Sequence, residues 1–329
     1  MIKKILFISL TLIISILILF FSLEILLRLF GEEPFSFSEK TIEEPRTNEN
    51  DKILGWKPKI GSFKFSPWSS EGKNTELTTT KFGRFDLYDN QSVEKIIFIG
   101  GSFTQGFAID NFQTFSFKLQ SKIKKLNIEN YGVGGYGTFQ SFLKLKQLLK
   151  EDDQIKFVFY GYVEHHDLRN IAQDSWLKML YQYSRRGAID LPFATLDSKN
   201  LIHSDVTRYL KIPLSEYSSL VHFVEKKIMY FVSKNRYQQR YLVTNTIVKQ
   251  MSEISNKNGI IFVNLFLNSS ARKVSQMKLF FDAHNIEYLD CNQEKLEEKH
   301  IVKNEGHPNE KLHSMWSDCI FKYLKTKIN

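Results

Sequence analysis

Between residues 95 and 290, short apolar runs of strand character recur near 95 to 100, 127 to 131, 155 to 161, 259 to 267 and 286 to 290, and helical patterns fill most of the gaps. Few folds accept that alternation. Strand and helix in turn predict a parallel sheet with helices on both faces, an α/β/α layer structure, because parallel neighbours need a crossover and the crossover helix covers a face. With 329 residues, 42% of them hydrophobic, the chain has enough apolar surface for one domain of about 250 residues besides an N-terminal anchor.

In open α/β sheets, reactive groups gather beyond the carboxyl ends of the strands. The run Lys95-Ile96-Ile97-Phe98-Ile99 stops at Gly100-Gly101-Ser102. The two glycines permit a sharp turn that leaves the Ser102 hydroxyl clear and free N–H groups beside it. A serine nucleophile needs a base, and His307 in Asn304-Glu305-Gly306-His307-Pro308-Asn309 precedes a helical pattern from about Glu310 to Lys325. A neutral imidazole titrates in the right range if its far nitrogen is held, and either Glu305 or Asn304 is close enough in sequence to hold it.

Two further loops stand at strand ends, Asn130-Tyr131-Gly132-Val133-Gly134-Gly135-Tyr136-Gly137-Thr138 and Gly161-Tyr162-Val163-Glu164-His165-His166-Asp167-Leu168-Arg169-Asn170. Together the four segments resemble the SGNH (GDSL-like) hydrolase superfamily, whose blocks supply a Ser, a Gly, an Asn and a His in that chain order. Leu54-Gly55-Trp56-Lys57-Pro58 and Lys81-Phe82-Gly83-Arg84 are similar to the lead-in of its membrane-anchored members, so the resemblance runs from about residue 50 onward.

The resemblance implies a flavodoxin-like fold with a five-stranded parallel sheet in the order 2-1-3-4-5. It also implies a serine esterase needing no cofactor or metal, with Ser102 as nucleophile, His307 as base, and the N–H groups of Ser102 and Gly135 in an oxyanion hole. His166 falls where the family usually has Asn, and the implied role is donation to the oxyanion from the imidazole. Gly101 stands at the family's usual Asp, and no Asp precedes His307, so Glu305 is the nearest substitute. The expected substrate is an acylated small molecule or polysaccharide, with a short O-acetyl ester on cell-surface carbohydrate as the leading class. An O-acyltransferase of envelope polysaccharide is the near rival, since an acyl-enzyme discharges to a sugar hydroxyl as readily as to water. An inactive glycan-binding or assembly protein is the rival of a different class, because of the altered acids.

The adjacent His165 and His166, near Glu164 and Asp167, lack a third ligand at metal-binding spacing, and neighbours on an extended loop point apart. No metal is expected there. His203, His222, His284, His300 and His313 lie in scattered polar or helical contexts and take no role.

At the N-terminus, Lys3 and Lys4 precede an apolar run from Ile5 to Leu23 that continues to Phe30, long enough for a hydrocarbon layer of about 30 Å. Glu32 and Glu33 follow it, and no small-residue cleavage pattern does, which predicts a retained single span over residues 1 to 31 with the N-terminus cytoplasmic and the catalytic domain outside. Residues 32 to 52 read as a polar tether and 53 to 329 as the hydrolase domain, with a helical insertion at about 171 to 240 that is rich in aromatics. Lys and Arg are dispersed behind a net charge of +9, which favours a lipid or acidic polysaccharide surface over nucleic acid for an external domain. Cys291 and Cys319 are equally compatible with a disulfide or with thiols.

Overall fold

Ile96 and Phe98 pack in one buried cluster and Ile97 and Ile99 in another, and all four are wholly shielded from solvent. A strand apolar on both faces has to lie between two layers. The computed structural model, which describes residues 2–38, 47–66, 74–85, 93–184, 187–293 and 296–328, builds those layers. Its strands are β1 (Asn48–Asp51), β2 (Gly55–Pro58), β3 (Gly61–Phe65), β4 (Thr75–Thr80), β5 (Gly83–Arg84), β6 (Lys95–Gly100), β7 (Asn127–Gly132), β8 (Ile155–Val163), β9 (Leu191–Leu196), β10 (Ile202–Thr207), β11 (Ile261–Asn268) and β12 (Tyr288–Asp290). The α-helices are α1 (Ile2–Leu29), α2 (Ser102–Gln105), α3 (Phe115–Lys122), α4 (Thr138–Glu151), α5 (His166–Asn170), α6 (Asp174–Ser184), α7 (Ser219–Lys257), α8 (Ala271–Ala283) and α9 (Glu310–Lys325).

The main sheet has eight strands in the order β12-β11-β8-β6-β7-β5-β4-β3 and is mixed, which corrects the expected five-stranded parallel sheet. Strands β12, β11, β8, β6 and β7 are parallel, β5 joins β7 in parallel, and β4 and β3 follow antiparallel. An uncovered β7 would present an open edge, and β5, joined to β4 and β3, pairs with that edge instead. Gly83 permits the junction: its φ is +90°, and a Cβ there would stand 2.1 Å from the Asn130 carbonyl oxygen.

On one face, Phe139 and Leu145 of α4, Ile247 and Met251 of α7, and Met277 and Phe281 of α8 meet Ile97 and Ile99. On the other, Phe115 and Leu119 of α3 and Leu312, Trp316 and Ile320 of α9 meet Ile96 and Phe98. A disulfide between Cys291 and Cys319, with a Cα–Cα distance of 6.0 Å, ties the chain beyond β12 to α9.

The chain divides into two compact units, one made of Met1–Glu39, Asp174–Ile189 and Arg208–Asn235, the other of Lys40–Gln173, Asp190–Thr207 and Arg236–Asn329. The insertion read as helical also contains the antiparallel hairpin β9–β10, because Leu191 to Leu196 is almost continuously buried. The stretch read as a tether is structured where it is described: Phe35 is buried in the first unit, and β1 pairs with β2 in the second. Residues 39–46 of that stretch lie outside the described residues.

In the first unit, α1 is 28 residues long and its most apolar 18 residues have a mean hydropathy of 2.8, enough by length and composition to cross a membrane. Glu24 and Arg28 pair with each other at 2.7 Å, and both also bind the chain at the start of α7. The Glu24 carboxylate accepts from Ser219 N–H at 3.0 Å, Leu220 N–H at 2.9 Å and the Ser218 hydroxyl at 2.8 Å, so it caps the start of α7. Arg28 Nη2 donates to the Tyr217 carbonyl at 3.0 Å, and Lys226 pairs with Glu32.

Candidate active site

Ser102 opens α2 directly after β6, with Gly101 as the N-cap and Gly106, at φ +73°, ending the turn. Its side chain is nearly buried, and among the described residues its N–H has no protein acceptor. So short a helix needs outside support. Arg84, itself buried, supplies it by donating to the carbonyls of Gln105 at 2.9 Å, Gly106, and Ile109 at 2.5 Å. Asn130 Nδ2 donates to the Thr104 carbonyl at 2.8 Å and to Ser116 Oγ at 3.0 Å.

The glycine loop after β7 is held in turn by the lead-in strands. Trp56 Nε1 donates to the Gly134 carbonyl at 3.0 Å, Gln105 Oε1 accepts from Gly134 N–H at 2.9 Å, and the Tyr136 hydroxyl donates to the Trp56 carbonyl. Gly135 sits at φ +87° between these anchors, and among the described residues its N–H also has no protein acceptor.

His307 arrives on a tight loop before α9. Val302 N–H donates to the His307 carbonyl at 2.8 Å, and Asn309 caps α9 while its Nδ2 donates to the carbonyls of Lys299 and Ile301. His307 Nδ1 lies 2.7 and 2.8 Å from the two Glu305 carboxylate oxygens, one of which also accepts from His307 N–H at 2.8 Å. The Glu305 side chain is wholly buried. A carboxylate only accepts, so the ring proton stands on Nδ1 and Nε2 is left as an acceptor for Ser102 Oγ, 2.9 Å away. Phe107 and Phe103 pack on the imidazole at 4.9 and 5.7 Å between ring centroids. Of the two candidates for orienting His307, the carboxylate of Glu305 makes the contact.

His166 stands apart from that chain of bonds. It is fully buried, and burial lowers its basicity well below the usual histidine range, with His165 and Arg169 acting in the same direction. The neutral ring therefore carries one proton. Its Nδ1 is 2.8 Å from the Tyr160 hydroxyl, which itself donates to Thr138 Oγ1 at 2.7 Å. Tyr160 has one proton and it is engaged, so Nδ1–H donates to Tyr160, and Nε2 presents a lone pair rather than the N–H expected for an oxyanion donor. Nε2 lies 2.6 Å from where a Cβ on residue 101 would stand. Gly101 and His166 are thus one packing event: the imidazole occupies the space that any larger residue at 101 requires.

The neighbouring acids are engaged elsewhere. Asp167 pairs with Lys273 at 2.7 Å, and Glu164 accepts from Ser270 N–H at 2.8 Å. Among the described residues no three His, Cys, Asp or Glu side chains are gathered to hold a metal. His313 is fully buried, accepts from Phe115 N–H at 3.1 Å and stacks on the Phe115 ring, a packing role. Sequence reasoning missed the bracing by Arg84, Asn130 and Gln105. Arg84 stood in the Lys81-Phe82-Gly83-Arg84 lead-in and Asn130 at the head of its loop, and neither position by itself told which carbonyl the side chain would hold.

No family model matches this chain, and no curated protein matches it. Its α/β fold is similar to solved G-D-S-L hydrolases at low identity. A member of the lipolytic G-D-S-L family from Veillonella parvula is 12% identical at a TM-score of 0.42, with 70% of this chain and 98% of that chain covered. A psychrotrophic esterase from a Pseudoalteromonas species is 12% identical at 0.41, with 70% and 99% covered. An acetyl-xylooligosaccharide esterase from a Geobacillus is 11% identical at 0.37, with 70% and 94% covered.

Proposed function

We propose that this chain is a serine ester hydrolase that removes short acyl groups, O-acetyl foremost, from a carbohydrate or small-molecule alcohol. The single observation that carries the reading is the chain of short contacts from Ser102 Oγ through His307 to the buried Glu305 carboxylate, 2.9 and 2.7 Å long. Ser102 Oγ attacks the ester carbonyl carbon while its proton passes to His307 Nε2. The resulting imidazolium is stabilised by Glu305 and returns that proton to the leaving alcohol as the carbon–oxygen bond breaks. Water, activated by the same imidazole, then releases the acid.

The N–H groups of Ser102 and Gly135 face the developing oxyanion, each contributing about 3 kcal/mol to the transition state. His166 joins them only as the other tautomer, with Tyr160 turned to donate to Nδ1 and the imidazole proton on Nε2.

Retention of α1 as a membrane anchor is supported by the capping of α7 through Glu24, since cleavage between residues 25 and 35 would remove that cap. The apolar length ahead of Glu24, from Ile5 to Leu23, spans about 28 Å at 1.5 Å per residue, which fits a bilayer core of ~30 Å. Lys3 and Lys4 then lie on the cytoplasmic side, and the hydrolase domain works outside.

A fluorophosphonate probe tests the reading. It should label the wild-type protein covalently and leave Ser102→Ala unlabelled, with loss of p-nitrophenyl acetate hydrolysis in the same variant. Equal labelling of both proteins would end the assignment of Ser102.

A further inference from the structure

The carboxyl ends of β8 and β11 carry a second feature that the serine chemistry does not use. A cleft of about 420 Å³ opens there, between the loop ends at Glu164, His165 and Asn268 and the α7 residues Tyr237, Arg240 and Tyr241. Its size falls in the range of small-molecule sites. His165 connects it to the serine, because the imidazole packs edge-on, 6.0 Å between centroids, against Phe103, the residue after Ser102. Strand β8 also lies directly beside β6, which delivers Ser102.

We propose that this cleft is a subsite for an uncharged sugar, holding the carbohydrate whose acyl ester meets Ser102; the proposal rests on the esterase reading above. Tyr237 and Tyr241 line the cleft and are 42% and 43% exposed, so part of each side chain is accessible to a ligand. The Arg240 guanidinium stands 4.0 Å from one ring centroid and 4.1 Å from the other, and its Nη1 donates to the Tyr237 carbonyl at 2.9 Å. Among the described residues no carboxylate pairs with it. The stack therefore holds a planar set of donors in place, with hydrogen-bonding capacity left over.

Across the cleft stands the Asn268 side chain, and the Ser269 hydroxyl is buried without a protein partner among the described residues. Lys273 Nζ also stands 4.0 Å from the Tyr241 centroid, so the aromatic surface offered to a ligand is chiefly that of Tyr237; donors and acceptors of both kinds opposite it suit a ring that carries hydroxyls on its rim and C–H groups on its face. An acyl chain does not fit. Only Val163 and Leu168 line the cleft with aliphatic surface, and a hydrocarbon would leave Arg240 and Ser269 unpaired. An anionic ligand is disfavoured because Glu164 opposes the charge of Arg240, while Asp167 and Lys273 neutralise each other at 2.7 Å.

The test uses the full chain in detergent and two variants, Tyr237→Ala and Arg240→Gln, each checked for an unchanged circular dichroism spectrum. Substrates are p-nitrophenyl acetate and acetylated cellotriose, xylotriose and chitotriose. The ratio of kcat/KM for the best trisaccharide ester to that for p-nitrophenyl acetate should fall about tenfold in each variant, through KM. A binding arm removes the chemistry: saturation-transfer NMR with the unacetylated trisaccharides on Ser102→Ala should give a signal that Tyr237→Ala on the same background abolishes. Absence of binding by all three sugars, or binding undiminished by Tyr237→Ala, overturns the subsite. Absence of ester hydrolysis by the wild type overturns the esterase reading instead, and the binding arm still decides the cleft.

Discussion

Glu305 reaches its histidine from only two residues away, and both carboxylate oxygens lie within 2.8 Å of Nδ1. An amide in its place is free to donate, which stabilises the wrong tautomer of His307. Glu305→Gln should therefore lower kcat/KM by a factor of about a hundred to ten thousand while leaving the thermal midpoint nearly unchanged. Steady-state kinetics on p-nitrophenyl acetate check this, and an unaffected variant would remove Glu305 from the mechanism. A second prediction concerns the contact between residues 101 and 166. Gly101→Ala should destabilise the wild type by about 1 to 3 kcal/mol, because the new Cβ meets His166 Nε2, and the cost should shrink in a His166→Asn background. Denaturant titration of the four proteins measures that coupling, and additive losses would refute it. A further variant tests the tautomer: with Nε2 unprotonated, His166→Ala should have a kcat within about threefold of that of His166→Asn, and a gap of about a hundredfold between them would put the proton on Nε2.

At the scale of elements, the candidate catalytic residues depend on three short loops that do not support themselves. The four-residue α2 is braced by Arg84 and Asn130, the glycine loop by Trp56, and the His307 loop by Asn309. The lead-in before β6 thus belongs to the architecture of the site. In the first unit, Glu24 plays the same part for α7, satisfying two of the N–H groups that a helix start leaves open. Glu24→Ala should cost about 1 to 2 kcal/mol. Amide hydrogen exchange in detergent should show faster exchange over the first turn of α7 and little change in β6 or β8; unchanged protection at Ser219 and Leu220 would contradict the cap.

For the whole molecule, stability should depend on pH through imidazoles that fold in the neutral state. His165, His166 and His313 are each held well below the usual histidine range, chiefly by burial. The folded state then binds fewer protons than the unfolded one, so stability is fully present above the unfolded value of about 6.5 and is lost as pH falls below it toward the folded values. Each imidazole that protonates only on unfolding contributes a slope of about 1.4 kcal/mol per pH unit. Thermal midpoints between pH 7.5 and 5 should fall steadily, and His313→Gln should flatten the decline; a flat wild-type profile would contradict the buried neutral state.

Local pattern was enough to read certain features because they are properties of neighbours along the chain. Runs such as Ile96 to Ile99 have to be buried on both faces, Gly100 and Gly101 let the chain turn before Ser102, and the apolar length of α1 is a matter of counting. What only the tertiary structure decided depends on residues far apart in sequence meeting at particular distances. The pairing of Ser102 with His307 spans 205 positions, and the cap of α7 by Glu24 about as many. The widening of the sheet from five strands to eight follows from which segment reached the open edge of β7. Cys291 and Cys319 offered no spacing that marks a disulfide until folding brought their Cα atoms to 6.0 Å. The proton on His166 was the least legible feature, because a neutral imidazole takes its tautomer from its partner Tyr160, and the Tyr160 proton is committed to Thr138 only when β8 and α4 pack together.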